Sequence, residues 1–229
     1  MSWGPRERRV ETLAKLDEKG ATVTVRRRGE AHEVLFDGRV ILASDAHDTE
    51  EAFGAMAGDL AAAPSLAAGP RVLIGGLGFG YTLRGALSSL PRGARVVVAE
   101  KVQGIIALCR GELRHMAGDP LSDPRVEVVQ SSVEQVAQGR GPFGAILLDV
   151  DNGPDWATFR QNGWLYTDAG VRLFAGALEP GGSLAVWSGY PARRFLTVLR
   201  RSGLHAREVP LCVRGRVRAR AFVGRKGRG

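Results

Sequence analysis

The sequence predicts an α/β protein with a doubly wound, largely parallel seven-stranded sheet, preceded by a small antiparallel β-meander. From residue 71 onward, short β-branched runs alternate with segments of helical periodicity, as in a parallel sheet covered by helices. Before residue 62, short strand candidates are separated by turn signals such as Asp37-Gly38, as in antiparallel hairpins. We therefore divide the chain into residues 1–68, a meander plus a helix, and residues 69–229.

Local signals predict the individual elements. The meander has strands over 21–26, 31–36 and 39–42, and a helix over about 48–62 follows them. The seven strands of the sheet are predicted over 71–74, 94–99, 126–129, 145–148, 183–187, 205–213 and 217–223. Apolar residues at helical spacing lie between several of these strands. Only a short turn separates the last two strands, which predicts an antiparallel hairpin at one edge of the sheet.

A glycine-rich turn follows the first strand of the sheet. The apolar run 72–74 enters a cluster formed by Gly75, Gly76 and Gly78, and a helical pattern leaves it. Nucleotide-binding loops require this context, because glycine lets the backbone contact a ligand and the helix start offers N–H groups. Glu100 ends the second strand, about 20 residues further on, where a carboxylate can bind ribose hydroxyls. An adenosine-type ligand is therefore favoured over a surface role for this carboxylate.

Composition limits the compartment and the kind of site. The hydrophobic fraction of 44% can fill a core, and no apolar run reaches the roughly 18 residues of a membrane span. The first residues lack the apolar segment of a secretory signal, so a cytoplasmic protein with no membrane contact is expected. The two cysteines, Cys109 and Cys212, form no C-x-x-C pair, and the four histidines are scattered. We expect no metal site.

The formal charge of +8 comes from clustered arginines. Near the C-terminus, Arg214, Arg216, Arg218 and Arg220 alternate with small or apolar residues, which predicts an arginine face on one strand. A solvated sheet edge is favoured over a polyanion-binding face. No aromatic residues interleave with these arginines, so nucleic acid is the less favoured partner.

The motifs together resemble the spermidine-synthase-like branch of the class I S-adenosylmethionine-dependent methyltransferase superfamily. The resemblance rests on the glycine turn, Glu100, the run Leu147–Pro154 and the turn Glu179–Gly182, and it covers essentially the whole chain. It implies a Rossmann-like fold and a donor that is S-adenosylmethionine or its decarboxylated form. It also implies a small-molecule amine as acceptor, and a homodimer is compatible with it.

The resemblance assigns roles to individual residues. Asp149 matches the carboxylate that receives a proton from the attacking amine, and Asp151 is either a second catalytic residue or a residue that shapes the following loop. The donor-binding residues would be Gly75, Gly76, Gly78, Glu100, Lys101, Ser131, Ser132 and Asp149, with the two serines beside the adenine. Glu50 and Glu51 would border the acceptor pocket, and His47 could be a base there, although a cap or surface role is favoured for it. Trp187 and Tyr190 follow the fifth strand and could line the pocket, although Trp187 fits a core position equally well.

Two departures from the family pattern bear on the reaction. Gly78 stands where aminopropyltransferases carry an aspartate that binds the amine of the decarboxylated donor, and Thr49 replaces a substrate-side tyrosine. Both departures favour methyl transfer to a small amine-bearing substrate. Aminopropyl transfer to a polyamine is the alternative, and an RNA-associated protein that retains the fold is a second one.

Overall fold

The computed structural model describes residues 10–18, 21–44, 47–61, 69–150, 152–154 and 160–228. The polypeptide divides into two compact units, residues 1–47 and residues 48–229. No helix in these described ranges is long and apolar enough to cross a membrane.

The first unit is a four-stranded antiparallel sheet. Its strands follow one another in chain order: β1 (Val10–Glu18), β2 (Ala21–Arg28), β3 (Ala31–Phe36) and β4 (Arg39–Ala43). Asp37 and Gly38 both have positive φ, as a two-residue hairpin turn requires. The sequence analysis missed β1, because this edge strand is rich in charged residues and poor in β-branched ones.

One buried carboxylate neutralises part of the arginine-rich run in β2. Glu33 is 2% exposed and accepts ion pairs from Arg26 and Arg28, each at 2.6 Å. These two arginines therefore contribute to the fold of the first unit.

The second unit is a seven-stranded sheet with helices on both faces. Its first segment contains α1 (Asp48–Ala55), α2 (Ala57–Leu60), β5 (Arg71–Gly75), α3 (Tyr81–Ser89), β6 (Arg95–Glu100), α4 (Gln103–Arg110) and β7 (Val126–Gln130). The remainder contains α5 (Val133–Arg140), β8 (Phe143–Leu148), α6 (Asp168–Gly176), β9 (Leu178–Ser188), α7 (Arg193–Arg201), β10 (His205–Val213) and β11 (Arg216–Arg225). Short 3-10 helices lie at Pro120–Ser122 and Arg160–Tyr166.

The strand order is β10-β11-β9-β8-β5-β6-β7. β5 to β9 are parallel to one another. β11 pairs antiparallel with β9 and with β10, and β10 and β11 form the predicted hairpin at one edge. Every residue of β8 is buried, as expected of a parallel strand covered on both faces. The predicted fold class is confirmed: a doubly wound, mostly parallel seven-stranded sheet with a small antiparallel sheet at the N-terminus.

The arginine face expected near the C-terminus is interrupted. Arg214 has φ of 51° and lies in the turn that precedes β11. A register shift after Leu211 leaves Arg218 as an extra residue on β11, so the alternation of faces breaks there. Arg220 pairs with Glu208 at 2.9 Å. The simple period of two does not hold, because turn and bulge each change the direction of the side chains.

Candidate functional site

The ends of β5 and β8 meet at the point where the sheet order reverses. Gly75 pairs with Leu148 across these strands, and the Asp149 N–H donates to the Gly75 carbonyl at 2.9 Å. Gly76 has φ of +90°, and a Cβ on it would lie 2.3 Å from the Asp149 carbonyl oxygen. The glycine turn and Asp149 therefore form one edge of a crevice at the position where open α/β sheets bind ligands.

The Asp149 carboxyl group lies in an interior environment, although the residue as a whole keeps partial exposure. Thr82 Oγ1 donates a hydrogen bond to Asp149 Oδ2 at 2.5 Å. The pKa of Asp149 is raised to about 7. Burial is the largest cause, the nearby Glu50 carboxylate adds to it, and the Thr82 hydrogen bond opposes both effects. A carboxyl group with this pKa can gain or lose a proton near neutral pH.

Two glycines bring α1 against α3 and so position Glu50. A Cβ on Gly54 would lie 2.0 Å from the Thr82 carbonyl oxygen, and one on Gly85 would lie 2.1 Å from the Glu51 carbonyl oxygen. Because neither residue has a side chain, the helix backbones touch, and Thr82 Oγ1 lies 3.2 Å from the Glu50 carbonyl oxygen. The Glu50 carboxylate accepts from Thr49 Oγ1 at 2.8 Å.

Glu51 is paired with a cation of α3. Arg84 Nη2 donates to Glu51 Oε2, and the Arg84 guanidinium lies 5.1 Å from the centre of the Tyr81 ring. Burial raises the pKa of Tyr81, Arg84 lowers it, and Glu50 and Glu51 raise it. Tyr81 is therefore a neutral phenol at physiological pH.

Glu100 joins two turns through its carboxylate. Its Oε2 accepts from the Leu77 N–H at 3.0 Å, and its Oε1 accepts from the Val102 N–H at 2.8 Å. Burial raises the pKa of Glu100, and the backbone hydrogen bonds from Val102, Leu77 and Lys101 oppose that shift. Each carboxylate oxygen has a second lone pair, so the predicted ribose hydrogen bonds remain compatible with this arrangement. The Lys101 side chain is exposed.

A buried thiol donates a hydrogen bond to the glycine turn. Cys109 Sγ donates to the Gly78 carbonyl oxygen at 3.1 Å. Burial raises the pKa of Cys109 to about 12, and Glu100 adds to this effect, so the thiol stays protonated. This neutral donor holds the carbonyl group of Gly78 in place.

The turn after β7 contains the two predicted adenine-binding serines. Ser131 N–H donates to the Glu100 carbonyl at 3.1 Å, and its hydroxyl donates to Gln135 Oε1 at 2.8 Å. Ser132 is 8% exposed, and its hydroxyl has no hydrogen-bond partner within the described residues. Because a buried hydroxyl without a partner is costly, Ser132 is the serine better able to gain from a bound ligand.

The predicted acceptor-pocket residues have different surroundings. Leu148 pairs with Val186, so Trp187 follows at the level of Asp149 on the neighbouring strand. Trp187 Nε1 is buried and has no hydrogen-bond partner within the described part of the chain. Tyr190 is 49% exposed, and its backbone N–H and carbonyl both bond to the Ser188 hydroxyl.

Two predicted site residues stay predictions. His47 lies in the first unit, where its Nδ1 is 2.9 Å from the Ser44 carbonyl oxygen. Asp151 lies outside the described residues. Among the residues that are described, no group of three or more His, Cys, Asp or Glu side chains is arranged to hold a metal ion.

Sequence reasoning missed three residues at the start of α3. Thr82 donates to the Asp149 carboxyl group, Arg84 pairs with Glu51, and the Arg84 guanidinium lies over the Tyr81 ring, yet none of the three belongs to a recognisable motif. Their one local signal is position, since Tyr81 and Thr82 begin the helix that leaves the glycine turn. Polar side chains in that first turn deserve inclusion in any prediction of this kind of site.

Comparison with known proteins supports a specific resemblance. No protein-family model matches the chain. A polyamine aminopropyltransferase of Synechococcus sp. is 30% identical over 125 residues, which are 52% of this chain and 37% of that protein. The chain therefore spans little more than a third of the length of this curated relative.

Solved structures share the fold at lower identity. Spermidine synthase from Thermotoga maritima is 17% identical with a TM-score of 0.69, over 95% of this chain and 73% of that one. A spermidine synthase in complex with the transition-state analogue AdoDATO has the same identity and coverage and a TM-score of 0.70. A probable spermidine synthase from Corynebacterium glutamicum is 16% identical with a TM-score of 0.62, over 94% and 80% of the two chains. These matches confirm the resemblance to the spermidine-synthase-like branch.

The expectation of methyl transfer is wrong on this comparison. The relative by sequence and the neighbours by structure are named for aminopropyl transfer or spermidine synthesis, and none of these four names indicates a methyltransferase or an RNA-associated protein. The expectation gave much weight to the carboxylate absent at Gly78. A second carboxylate nevertheless stands at the site, because Glu50 lies near enough to Asp149 to raise its pKa.

Proposed function

We propose that this protein transfers an aminopropyl group from decarboxylated S-adenosylmethionine to a small-molecule amine. The observation that carries the proposal is the Asp149 carboxyl group, which lies at the tip of β8 near Glu50 and has a pKa of about 7. The names of the relatives indicate which group is transferred.

The donor fits residues at the sheet edge. The glycine turn, in which Gly76 and Gly78 have positive φ, would present its backbone to the donor. We assign the ribose to Glu100 and the adenine to Ser132, whose buried hydroxyl would gain a partner. Ser131 and Lys101 would border the same ligand with their backbone groups.

Asp149 would act as the general base. An alkylamine is mostly protonated at neutral pH, and its nitrogen lone pair becomes available only when a proton leaves. Asp149 would take that proton, helped by the raised pKa of its carboxyl group. The freed nitrogen bonds to the carbon beside the donor's sulfonium sulfur as the carbon–sulfur bond breaks, and methylthioadenosine leaves with that electron pair.

Acidic and aromatic groups would select a cationic acceptor. Glu50 lies close enough to Asp149 for both carboxylates to attract the same ammonium group. Trp187 near the end of β9 and Tyr190 just after that strand would cover the hydrocarbon part of a polyamine. Glu51 would act by holding Arg84, whereas His47 and Asp151 stay predictions for this pocket, as does a homodimer.

Product analysis tests the proposal directly. The purified chain is incubated with an amine such as putrescine and with either S-adenosylmethionine or its decarboxylated form. We expect methylthioadenosine only from the decarboxylated donor and only when the amine is present. Asp149→Asn should lower turnover by about 10²–10⁴, the span usual for a general base, and leave donor affinity nearly unchanged. Formation of S-adenosylhomocysteine from S-adenosylmethionine would restore methyl transfer and overturn the proposal.

A further inference from the structure

The Thr82 hydroxyl lies between two hydrogen-bond acceptors on different elements. Asp149 Oδ2, beyond the end of β8, is 2.5 Å from Thr82 Oγ1, and the Glu50 backbone carbonyl oxygen, on α1, is 3.2 Å from it. Thr82 is 3% exposed, so bulk water has little access to this hydroxyl. A hydroxyl carries one hydrogen and two lone pairs, and it can therefore donate fully to only one of these acceptors at a time.

We propose that Thr82 is a positioning residue whose hydroxyl reverses direction when Asp149 takes up a proton. Before proton transfer, Thr82 donates to the Asp149 carboxylate. After transfer, the new Asp149 hydroxyl donates to Thr82 Oγ1, and Thr82 donates to the Glu50 carbonyl. The proton that leaves the amine stays on Asp149, and Thr82 gains and loses none. The inference rests on the proposed function, because there the amine supplies the proton.

The arrangement lets both protonation states of Asp149 remain hydrogen-bonded in the interior. If Asp149 Oδ2 carries the proton, its O–H needs an acceptor, and Thr82 Oγ1 can accept only when its own hydrogen has another partner. The Glu50 carbonyl supplies that partner, because the touching backbones at Gly54 and Gly85 bring it within reach. A protein that cycles Asp149 between two states in each turnover gains from such a partner.

Charged and titratable groups lie on both of the packed helices, and Glu50 acts on Asp149. Glu50 on α1 raises its pKa, and the Glu51–Arg84 pair and Tyr81 lie on the same two helices. Thr82 Oγ1 links Asp149 and the Glu50 carbonyl through one hydrogen-bonding atom. Thr82 is therefore the group to vary.

The test follows two carbon-13 resonances in the ligand-free protein: the Asp149 carboxyl carbon and the Glu50 backbone carbonyl carbon. Both are titrated from pH 4 to pH 9 in the wild type, in Thr82→Ser, which keeps the hydroxyl, and in Thr82→Val, which keeps the shape without it. We expect the Glu50 resonance to step at the Asp149 midpoint in the wild type and in Thr82→Ser. The step should be lost in Thr82→Val.

Asp149→Asn supplies a second arm that does not depend on the folding of Thr82→Val. Its amide does not titrate in this range, so the Glu50 step should vanish although Thr82 is intact. No step in the wild type, or an unchanged step in either Thr82→Val or Asp149→Asn, would overturn the inference. The titrations need no substrate. If the Glu50 and Asp149 resonances step together but the protein forms no methylthioadenosine, the proposed activity is refuted and the inference about Thr82 is not.

Turnover with the decarboxylated donor and putrescine tests whether the reversal of the Thr82 hydroxyl matters for the reaction. In the wild type, the acid limb of the pH profile of turnover should have the same midpoint as the titration of the Asp149 carboxyl carbon. Thr82→Val should shift the acid limb of turnover and the Asp149 midpoint together. Thr82→Ser should keep both near their wild-type pH values. A Thr82→Ser variant as impaired as Thr82→Val would assign the effect to the methyl group and contradict a role for the hydroxyl.

Discussion

Asp149 and Gly75 are joined by a backbone hydrogen bond of 2.9 Å, from the Asp149 N–H to the Gly75 carbonyl. The bond continues the pairing of β5 with β8 by one residue beyond the last strand pair, Gly75 with Leu148. The turn that is proposed to hold the donor and the carboxyl group that is proposed to take the proton are therefore fixed to one another. Their relative position follows from sheet register, and it does not depend on a flexible loop.

The first prediction concerns the fit of Gly76 against Asp149. Gly76→Ala should lower the free energy of unfolding by about 2–4 kcal/mol, because alanine is strained at positive φ and its Cβ meets the Asp149 carbonyl. Urea unfolding measures the loss. Gly139→Ala is the matched control: Gly139 lies in α5, and a Cβ there meets nothing within 4 Å. It should be neutral or stabilising by about 0.5–1 kcal/mol, and equal losses in both variants would contradict the packing described.

The second prediction is a pH dependence of stability that Asp149 causes. Its pKa is about 7 in the folded chain against 3.8 for an unperturbed aspartate, so the folded state holds its proton more tightly than the unfolded state does. The contribution of Asp149 to stability is therefore fully present below about pH 4 and is lost as the pH rises through about 7.

Asp149→Asn removes this titration and provides the measurement. The variant and the wild type should have similar free energies of unfolding at pH 4, and the variant should be the more stable by a few kcal/mol at pH 8. Denaturant unfolding across this pH range reports the difference. A constant difference between the two proteins at every pH would mean that Asp149 titrates normally.

The third prediction concerns Glu100 and the ribose. Glu100→Gln removes the charge and one of the two acceptor oxygens, so binding of methylthioadenosine should weaken by about 1.5–3 kcal/mol. Calorimetry measures the affinity, and circular dichroism checks that the Leu77 and Val102 turns stay folded. Lys101→Met is the control at the neighbouring exposed position and should change affinity far less. Unchanged affinity in Glu100→Gln would leave Glu100 as a structural link between the two turns.

The sequence predicts those parts of the site that follow from local signals. The glycine turn, Glu100 and Asp149 each stand at a strand end, so strand prediction alone brings them to one edge of the sheet. Thr82 and Glu50 are 32 residues apart, and they meet only because Gly54 and Gly85 allow α1 and α3 to touch. That contact has no periodic signature. The choice between Ser131 and Ser132 likewise depends on which hydroxyl the fold leaves without a partner.

The last prediction addresses the donor through Gly78, the residue on which the sequence argument for methyl transfer depended. Gly78 has φ of +53°, a conformation that aspartate and asparagine tolerate better than most residues, and Asp119 adopts φ of 57° in this chain. The Cys109 thiol contacts only the backbone of Gly78, so a side chain there leaves that contact in place. Gly78→Asp adds a carboxylate beside the proposed donor. It should bind decarboxylated S-adenosylmethionine more tightly, by about tenfold, and S-adenosylmethionine more weakly, because the added charge attracts an ammonium group and repels a carboxylate. Gly78→Asn has nearly the same shape without the charge, and calorimetry with both donors on both variants separates charge from shape. If the asparagine variant shifts donor preference as far as the aspartate variant, Gly78 lies away from the aminopropyl group and the donor is bound in another orientation.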